Sequence, residues 1–104
     1  MASPRPVRFD ILVCYDVNTT TPAGEKRLRR VAKACEGFGQ RVQYSIFECT
    51  LTDILLDRMR SKLLDIIDSS TDSLRIYYLF GHRDERLEVY GRDGWVDYLG
   101  PLIT

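Results

Sequence analysis

The sequence has few of the residues that build metal clusters or disulfide frameworks. It contains three cysteines (Cys14, Cys35 and Cys49), none in a CxxC spacing, and a single histidine. An odd number of dispersed cysteines argues against a disulfide scaffold and gives a zinc site little support, and it is typical of proteins in a reducing compartment. We therefore expect a cytoplasmic protein whose cysteines are small buried side chains.

Long hydrophobic runs are also missing. The longest apolar run, residues 11–15, is much shorter than the roughly 20 residues that cross a bilayer. The first ten residues lack the apolar centre of a signal peptide. These absences predict a protein with no membrane association. The 104 residues fit one domain with a single core, which we place at residues 1–91, followed by a tail at residues 92–104.

A neutral total charge hides one basic segment. The chain has 15 basic and 15 acidic side chains, yet residues 24–41 hold six basic against two acidic ones. Such a run is usually a solvated helix face. Here few acidic side chains lie one helical turn away, and the arginine fork suits phosphate oxygens, so we expect a polyanion to bind at this segment. The six basic residues are Lys26, Arg27, Arg29, Arg30, Lys33 and Arg41.

Hydrophobic periodicity predicts a mixed α and β fold. Strands are expected at residues 9–16, 41–49, 74–80 and 87–91. Helices are expected after Thr21 and after Thr50 or Thr52, which can act as N-caps. A helix between the first two strands indicates a parallel crossover, and a short polar turn before the last strand indicates a hairpin. We predict an α+β, ferredoxin-like protomer, with a four-stranded sheet and two helices on one face.

The tail at residues 92–104 is unusually apolar for a chain end, with Trp95, Tyr98 and Leu102 among its side chains. An apolar segment of this kind needs a surface to cover it. It either folds back over its own domain or crosses to a second copy and helps to build a symmetric homodimer. The sequence leaves both possibilities open.

Asp16 is the candidate for chemistry that stands out from the residues themselves. It ends a strand of apolar residues, directly before a threonine-rich loop. A carboxylate at such a place either starts the loop by accepting backbone N–H groups or holds a metal ion. The spacing alone leaves both interpretations open.

Several segments together resemble a known family. The residues that carry the likeness are Tyr15-Asp16 with Asn18, the helix at 24–31, the strand at 43–48 and the strand at 72–77. In this order and spacing, over residues 9–91, the chain is similar to the small CRISPR-associated adaptation protein, the second protein of that system. No single one of these segments is decisive, and their combination is specific.

The resemblance implies a ferredoxin-like homodimer with endonuclease activity on RNA or double-stranded DNA. It implies a Mg²⁺ site at Asp16, where Mn²⁺ is expected to substitute, and assembly with the adaptation integrase, CRISPR-associated protein one, to insert new spacers. The catalytic positions taken from the resemblance are Asp16, Tyr15, Ser45 and Phe47. The nucleic-acid contacts are expected among Arg27, Arg29 and Arg30, to which we add Lys26, Lys33 and Arg41.

One carboxylate per chain provides few ligands for a metal ion. A dimer in which two Asp16 side chains face each other would supply two carboxylates to one Mg²⁺. In a second hypothesis the basic helix binds nucleic acid and Asp16 has no catalytic role. In that case the protein is a non-catalytic dimeric scaffold that holds DNA for the adaptation integrase.

Overall fold

The helices and strands form one α+β unit in the computed structural model, which describes residues 7–81 and 86–92. The elements are β1 (Arg8–Asp16), α1 (Pro22–Glu36), β2 (Gln40–Gln43), β3 (Ile46–Thr52), α2 (Asp53–Ile66) and β4 (Ser73–Leu79). The strands lie in the order β2-β3-β1-β4, and each neighbouring pair is antiparallel. This arrangement confirms the predicted ferredoxin-like fold class. The expected tail at 92–104 lies outside the described residues from residue 93 onward.

The stretch 41–49, which the sequence predicts as one strand, is a hairpin. Tyr44 and Ser45 form the turn between β2 and β3. The prediction was wrong because apolar and polar residues keep alternating through a turn that has no glycine, asparagine or proline. The hairpin inserts β3 between β1 and β2, so the two strands joined by α1 run in the same direction without being neighbours.

Residues 87–91, which the sequence predicts as the last strand, form no strand in the structure. Their alternating pattern suits a strand, but a strand also needs a bonded neighbour, and among the described residues β4 pairs with β1 alone. Arg86 instead turns back, donating hydrogen bonds to the carbonyl oxygen of Gly81 and to Oδ2 of Asp10. Gly91 has a φ of 89°, a left-handed conformation that ends extended backbone.

Alternation along the strands gives the sheet one buried face and one open face. The core consists of Ile11, Val13, Tyr15, Val17, Phe47, Cys49 and Leu51 around the sheet, with Val31, Ala34, Cys35, Leu56, Met59, Leu63 and Ile66 from the helices. Both helices therefore cover the same face, as predicted. The open sheet face presents the half-buried side chains of Leu12, Cys14, Ile46 and Leu79.

The cysteines behave largely as the sequence predicts. All three are free, with Cys35 and Cys49 buried and Cys14 partly exposed on the open sheet face. Burial raises the pKa of Cys35 to about 11 and that of Cys49 to about 12. Both therefore stay protonated thiols at neutral pH and serve packing rather than chemistry.

Each helix begins at a threonine that caps it. Thr21 Oγ1 accepts a hydrogen bond from the Gly24 N–H at 3.1 Å, and Pro22 follows as the first helical residue. Thr52, rather than Thr50, caps α2 by accepting from the Leu55 N–H at 3.3 Å. Such caps contribute about 1 kcal/mol each. The first cap fixes where the loop that follows Asp16 joins α1.

Gly24→Ala is expected to destabilise the protein by about 3 kcal/mol. A Cβ at this position would lie 1.9 Å from the backbone oxygen of Asn18 and 3.2 Å from the Cα of Thr19, so helix and loop would have to separate. Gly37→Ala is the matched control, because its Cβ would meet one atom at 3.3 Å and its φ of −74° suits alanine. Urea unfolding of both variants measures the difference, and equal unfolding free energies would contradict the expected close approach.

Candidate functional site

A cavity of about 440 Å³ opens where β1 ends, between α1 and the turn that joins β2 and β3. We call it the Asp16 cavity. It is lined by Tyr15, Asp16, Val17, Thr19, Leu28, Arg29, Ala32, Arg41, Tyr44 and Ser45. Three of the four predicted catalytic residues and two of the six predicted nucleic-acid contacts therefore share one space. Residues that are far apart in sequence meet here because the hairpin brings its turn beside the end of β1.

The Asp16 carboxylate is exposed and forms no hydrogen bond or ion pair with another residue that the structure describes. The amide groups of the following loop are satisfied elsewhere. Asn18 N–H donates to Oδ1 of Asp72 at 3.0 Å, and Thr20 N–H donates to Oδ1 of Asn18 at 2.9 Å. The loop-starting role that the sequence left open for Asp16 thus belongs to Asn18 and Asp72. Asp16 keeps its oxygen atoms available for a ligand.

Tyr15 and Phe47 support the cavity from inside the core. Tyr15 donates a hydrogen bond from its hydroxyl to the carbonyl oxygen of Tyr44 at 3.2 Å, and its ring stacks on Phe47 with the centroids 6.3 Å apart. Burial raises the pKa of Tyr15, so its hydroxyl remains protonated at neutral pH. Phe47 is fully buried. Its side chain packs between Tyr15 and Arg41, and its catalytic role stays a prediction.

Ser45 connects the turn to β1. Its carbonyl oxygen accepts a hydrogen bond from the Tyr15 N–H at 3.1 Å, which fixes the turn beside the end of that strand. Ser45 is only partly buried and lines the Asp16 cavity. It can therefore contact a molecule bound in the cavity.

The basic residues divide into three groups. Arg29 and Arg41 line the Asp16 cavity. The Arg41 guanidinium lies 5.2 Å above the Phe47 ring, and its 3.9 Å contact with Glu36 joins two exposed side chains and contributes little. The exposed side chains of Lys26, Arg30 and Lys33 extend the positive surface along α1.

Arg27 differs from the other basic residues of α1 because it pairs with a carboxylate of this chain. Residues two apart in a helix project from nearly opposite sides, because each residue advances the helix by about 100°, so Arg27 points away from Arg29. Its Nε donates to Oδ2 of Asp72 at 2.8 Å, and its side chain is 19% exposed. Arg27 therefore belongs to a partly buried ion pair, and its contact with nucleic acid stays a prediction.

Two residues of the site escape detection in the sequence. Tyr44 is 93% exposed at the hairpin turn and lines the Asp16 cavity, but the residue types around it do not mark a turn, so its exposure leaves no signal in the sequence. Asp72 bonds to residues that are 45 and 54 positions away. No local pattern encodes such partners.

The carboxylate of Asp16 suits a divalent cation that prefers oxygen ligands and keeps several waters. No group of three or more His, Cys, Asp or Glu side chains that could hold a metal occurs among residues 7–81 and 86–92. An isolated exposed carboxylate does fit Mg²⁺, which keeps several waters and takes its remaining ligands from one or two carboxylates and a substrate phosphate. The arrangement therefore fits Mg²⁺ held jointly with a nucleic acid, and it does not fit a metal enclosed by protein ligands.

Comparison with known proteins decides the family. Residues 10–87 match the family model described as CRISPR associated protein Cas2. The chain belongs to the Cas2 family. The CRISPR-associated endoribonuclease Cas2 of Chlorobaculum tepidum is 50% identical to it over 93 residues, covering 89% of this chain and 97% of that protein.

Two further Cas2 relatives support this membership. The CRISPR-associated endonuclease Cas2 of Halalkalibacterium halodurans is 44% identical over 93 residues, covering 89% of this chain and 97% of that protein. The crystal structure of Streptococcus pyogenes Cas2 at pH 6.5 superimposes with a TM-score of 0.71 at 51% identity, covering 79% of this chain and 99% of that chain. The resemblance drawn from the sequence is confirmed, and Cas2 relatives carry the names of nucleases.

The helices bear on the expectation that the chain has no membrane-spanning segment. Neither helix among the described residues of this Cas2-family chain has both the length and the apolar character needed to span a bilayer.

Proposed function

We propose that this chain is a Mg²⁺-dependent endonuclease that hydrolyses phosphodiester bonds of RNA or double-stranded DNA and takes part in spacer acquisition by a CRISPR system. One observation carries the proposal. Asp16, whose exposed carboxylate has no described partner, lines the same cavity as Arg29 and Arg41. The endoribonuclease and endonuclease names of the Cas2 relatives support the same type of reaction.

The residues of the cavity divide the work by their chemistry. Arg29 and Arg41 bind phosphate oxygens, for which the guanidinium fork is suited. Asp16 holds Mg²⁺, which when bound offsets phosphate charge and activates a water molecule. Tyr15 keeps the hairpin turn beside Asp16 through its hydrogen bond to Tyr44. Lys26, Arg30 and Lys33 attract the rest of the nucleic-acid backbone along α1.

The protein acts as a homodimer in this proposal. Strand alternation puts Asp16 on the same side of the sheet as Leu12 and Cys14 on the open sheet face. Packing two copies through that face buries its apolar side chains and brings both Asp16 residues to one interface. Two carboxylates, waters and a phosphate would complete the ligands of Mg²⁺. The dimer thus supplies the second carboxylate that a single copy of the site lacks.

Leu12→Lys is expected to convert the dimer to a monomer, because the substitution places a charge in the middle of the open sheet face. Leu64→Lys is the control, since Leu64 lies on α2 and is already 55% exposed. Analytical ultracentrifugation of the two variants and the wild type gives their masses. A dimer retained by Leu12→Lys would place the interface elsewhere.

The second candidate function is a non-catalytic dimeric scaffold that holds DNA for the adaptation integrase. The exposed basic side chains of Lys26, Arg30 and Lys33 along α1 favour it, because they can hold DNA without a metal ion. It requires the same basic residues and gives Asp16 no role. Cleavage of labelled RNA and labelled duplex by the wild type and by Asp16→Asn, with Mg²⁺ and with chelator, separates the two functions.

A further inference from the structure

The Asp72 side chain is fully buried and joins three separate segments of the chain. Its Oδ1 accepts from the Asn18 N–H at 3.0 Å, in the loop that follows Asp16. Its Oδ2 accepts from Arg27 Nε at 2.8 Å, on α1, and from the Asp68 N–H at 2.9 Å, after α2. The ion pair with Arg27 and these hydrogen bonds lower the pKa of Asp72, so the group stays a carboxylate at neutral pH.

Asp72 also adjoins the strand partner of Asp16. Ser73 lies opposite Asp16 in the ladder between β1 and β4, so the backbone of Asp16 is held by that ladder on one side and by the Asn18 amide two residues later. Asn18 itself closes a local turn by accepting from both the N–H and the hydroxyl of Thr20. Asp72 therefore provides the described side-chain hydrogen bond that joins this loop to the segment between α2 and β4.

We propose that Asp72 is a positioning residue for Asp16, acting through the Asn18 amide, and that Arg27 aligns the Asp72 carboxylate for this task. The inference rests on the proposed function, because it gives the position of Asp16 a catalytic consequence. The Asp16 side chain has no described partner that orients it, so its placement depends on the backbone on either side. Small misplacements of a reacting or ligating group cost about 10²-fold in rate.

An ordinary stabilising ion pair would give a different result. Arg27 and Asp72 alone would fix α1 against the segment before β4, and their loss would lower the stability of the whole molecule evenly. The Asn18 contact directs one carboxylate oxygen at the loop instead. A positioning role therefore predicts that residues 17–20 become locally more mobile when Asp72 is replaced. It also predicts a loss of cleavage rate that is absent when Asp16 has already been replaced.

The test compares Asp72→Ala and Asp72→Asn with a control, Asp57→Asn, which breaks an exposed ion pair to Arg60 on α2. Amide hydrogen exchange of Asn18 and Thr20 is measured in the metal-free proteins. Exchange is expected to be faster at both amides in Asp72→Ala and unchanged in the control. Asp72→Asn keeps one acceptor oxygen and is expected to lie between them, which preserves the test if Asp72→Ala does not fold.

Cleavage kinetics supply the second measurement. Asp72→Ala is expected to lower kcat by about 10²-fold while KM for the nucleic acid stays the same, because Arg29 and Arg41 are untouched. In an Asp16→Asn background the same substitution should cause no further loss of cleavage, since both changes then act on one step. The exchange rates at Asn18 do not depend on activity. They therefore test whether Asp72 holds the loop even if the protein shows no cleavage.

Unchanged exchange at Asn18 and Thr20 in both Asp72 variants would overturn the inference. An equal further loss in the Asp16→Asn background would also overturn it, because Asp72 would then act independently of Asp16. Cleavage by Asp16→Asn at the wild-type rate is a separate outcome. It would overturn the proposed function and the catalytic role that we infer for Asp72, whatever the exchange rates show.

Discussion

Asp16→Asn is expected to lower Mg²⁺-dependent cleavage by about three orders of magnitude while fold, dimer and nucleic-acid affinity remain. Asparagine keeps the shape of the side chain and one oxygen atom but loses the charge that we propose holds the cation. Among the described residues, no other carboxylate lines the Asp16 cavity to replace it. We expect the affinity to survive, because the proposed phosphate contacts come from Arg29 and Arg41.

Asp65→Asn is the matched control, since it removes the same charge from an exposed position on α2, outside the cavity. Single-turnover cleavage of labelled RNA and labelled duplex is measured for the three proteins, prepared identically. Chelator should abolish wild-type cleavage, and Mn²⁺ should restore it because it accepts the same oxygen ligands. Equal rates for wild type and Asp16→Asn would assign the activity to a contaminant or to another site and would favour the scaffold.

The double variant Arg29→Ala with Lys33→Ala is expected to weaken nucleic-acid binding to a similar degree whatever the nucleotide sequence. These two side chains lie one turn apart on α1, where we propose that they neutralise backbone phosphates and release counterions. Each phosphate contact that is lost makes the slope of log K against log salt less steep, by about 0.9 on duplex DNA and about 0.7 on single strands. Fluorescence anisotropy at several salt concentrations measures both slopes.

The control for this charge removal is Arg58→Ala with Lys62→Ala. These residues have the same spacing on α2, are exposed, and lie outside the Asp16 cavity. Both double variants change the net charge equally, so a general electrostatic effect would alter their slopes equally. Equal slopes for the two would mean that the basic run on α1 is only a solvated helix face.

The sequence predicts those parts of the fold that depend on neighbouring residues. The apolar run of β1 and the caps at Thr21 and Thr52 are local, and the structure confirms them. The hairpin was missed because its turn, at Tyr44 and Ser45, lacks the residues that mark a tight turn. Without it, the predicted strand order was incomplete even though the fold class was right.

The candidate site shows the same limit. Asp16 is evident from sequence because a carboxylate at the end of an apolar strand is conspicuous. Helical spacing alone does not reveal that Arg27 faces Asp72 instead of solvent, because the partner lies 45 residues away. The choice between a binding arginine and a structural one therefore depends on tertiary packing.

The most direct test of the central claim is the amount of Mn²⁺ that the protein binds with a non-cleavable phosphorothioate duplex or RNA. Electron paramagnetic resonance reports the free Mn²⁺, so the measurement does not depend on cleavage by a contaminant. We expect Mn²⁺ to bind to the wild-type complex, and we expect Asp16→Asn to lose that binding while its affinity for the nucleic acid is unchanged. Equal Mn²⁺ binding by the two proteins would show that Asp16 does not hold the metal and would contradict the account.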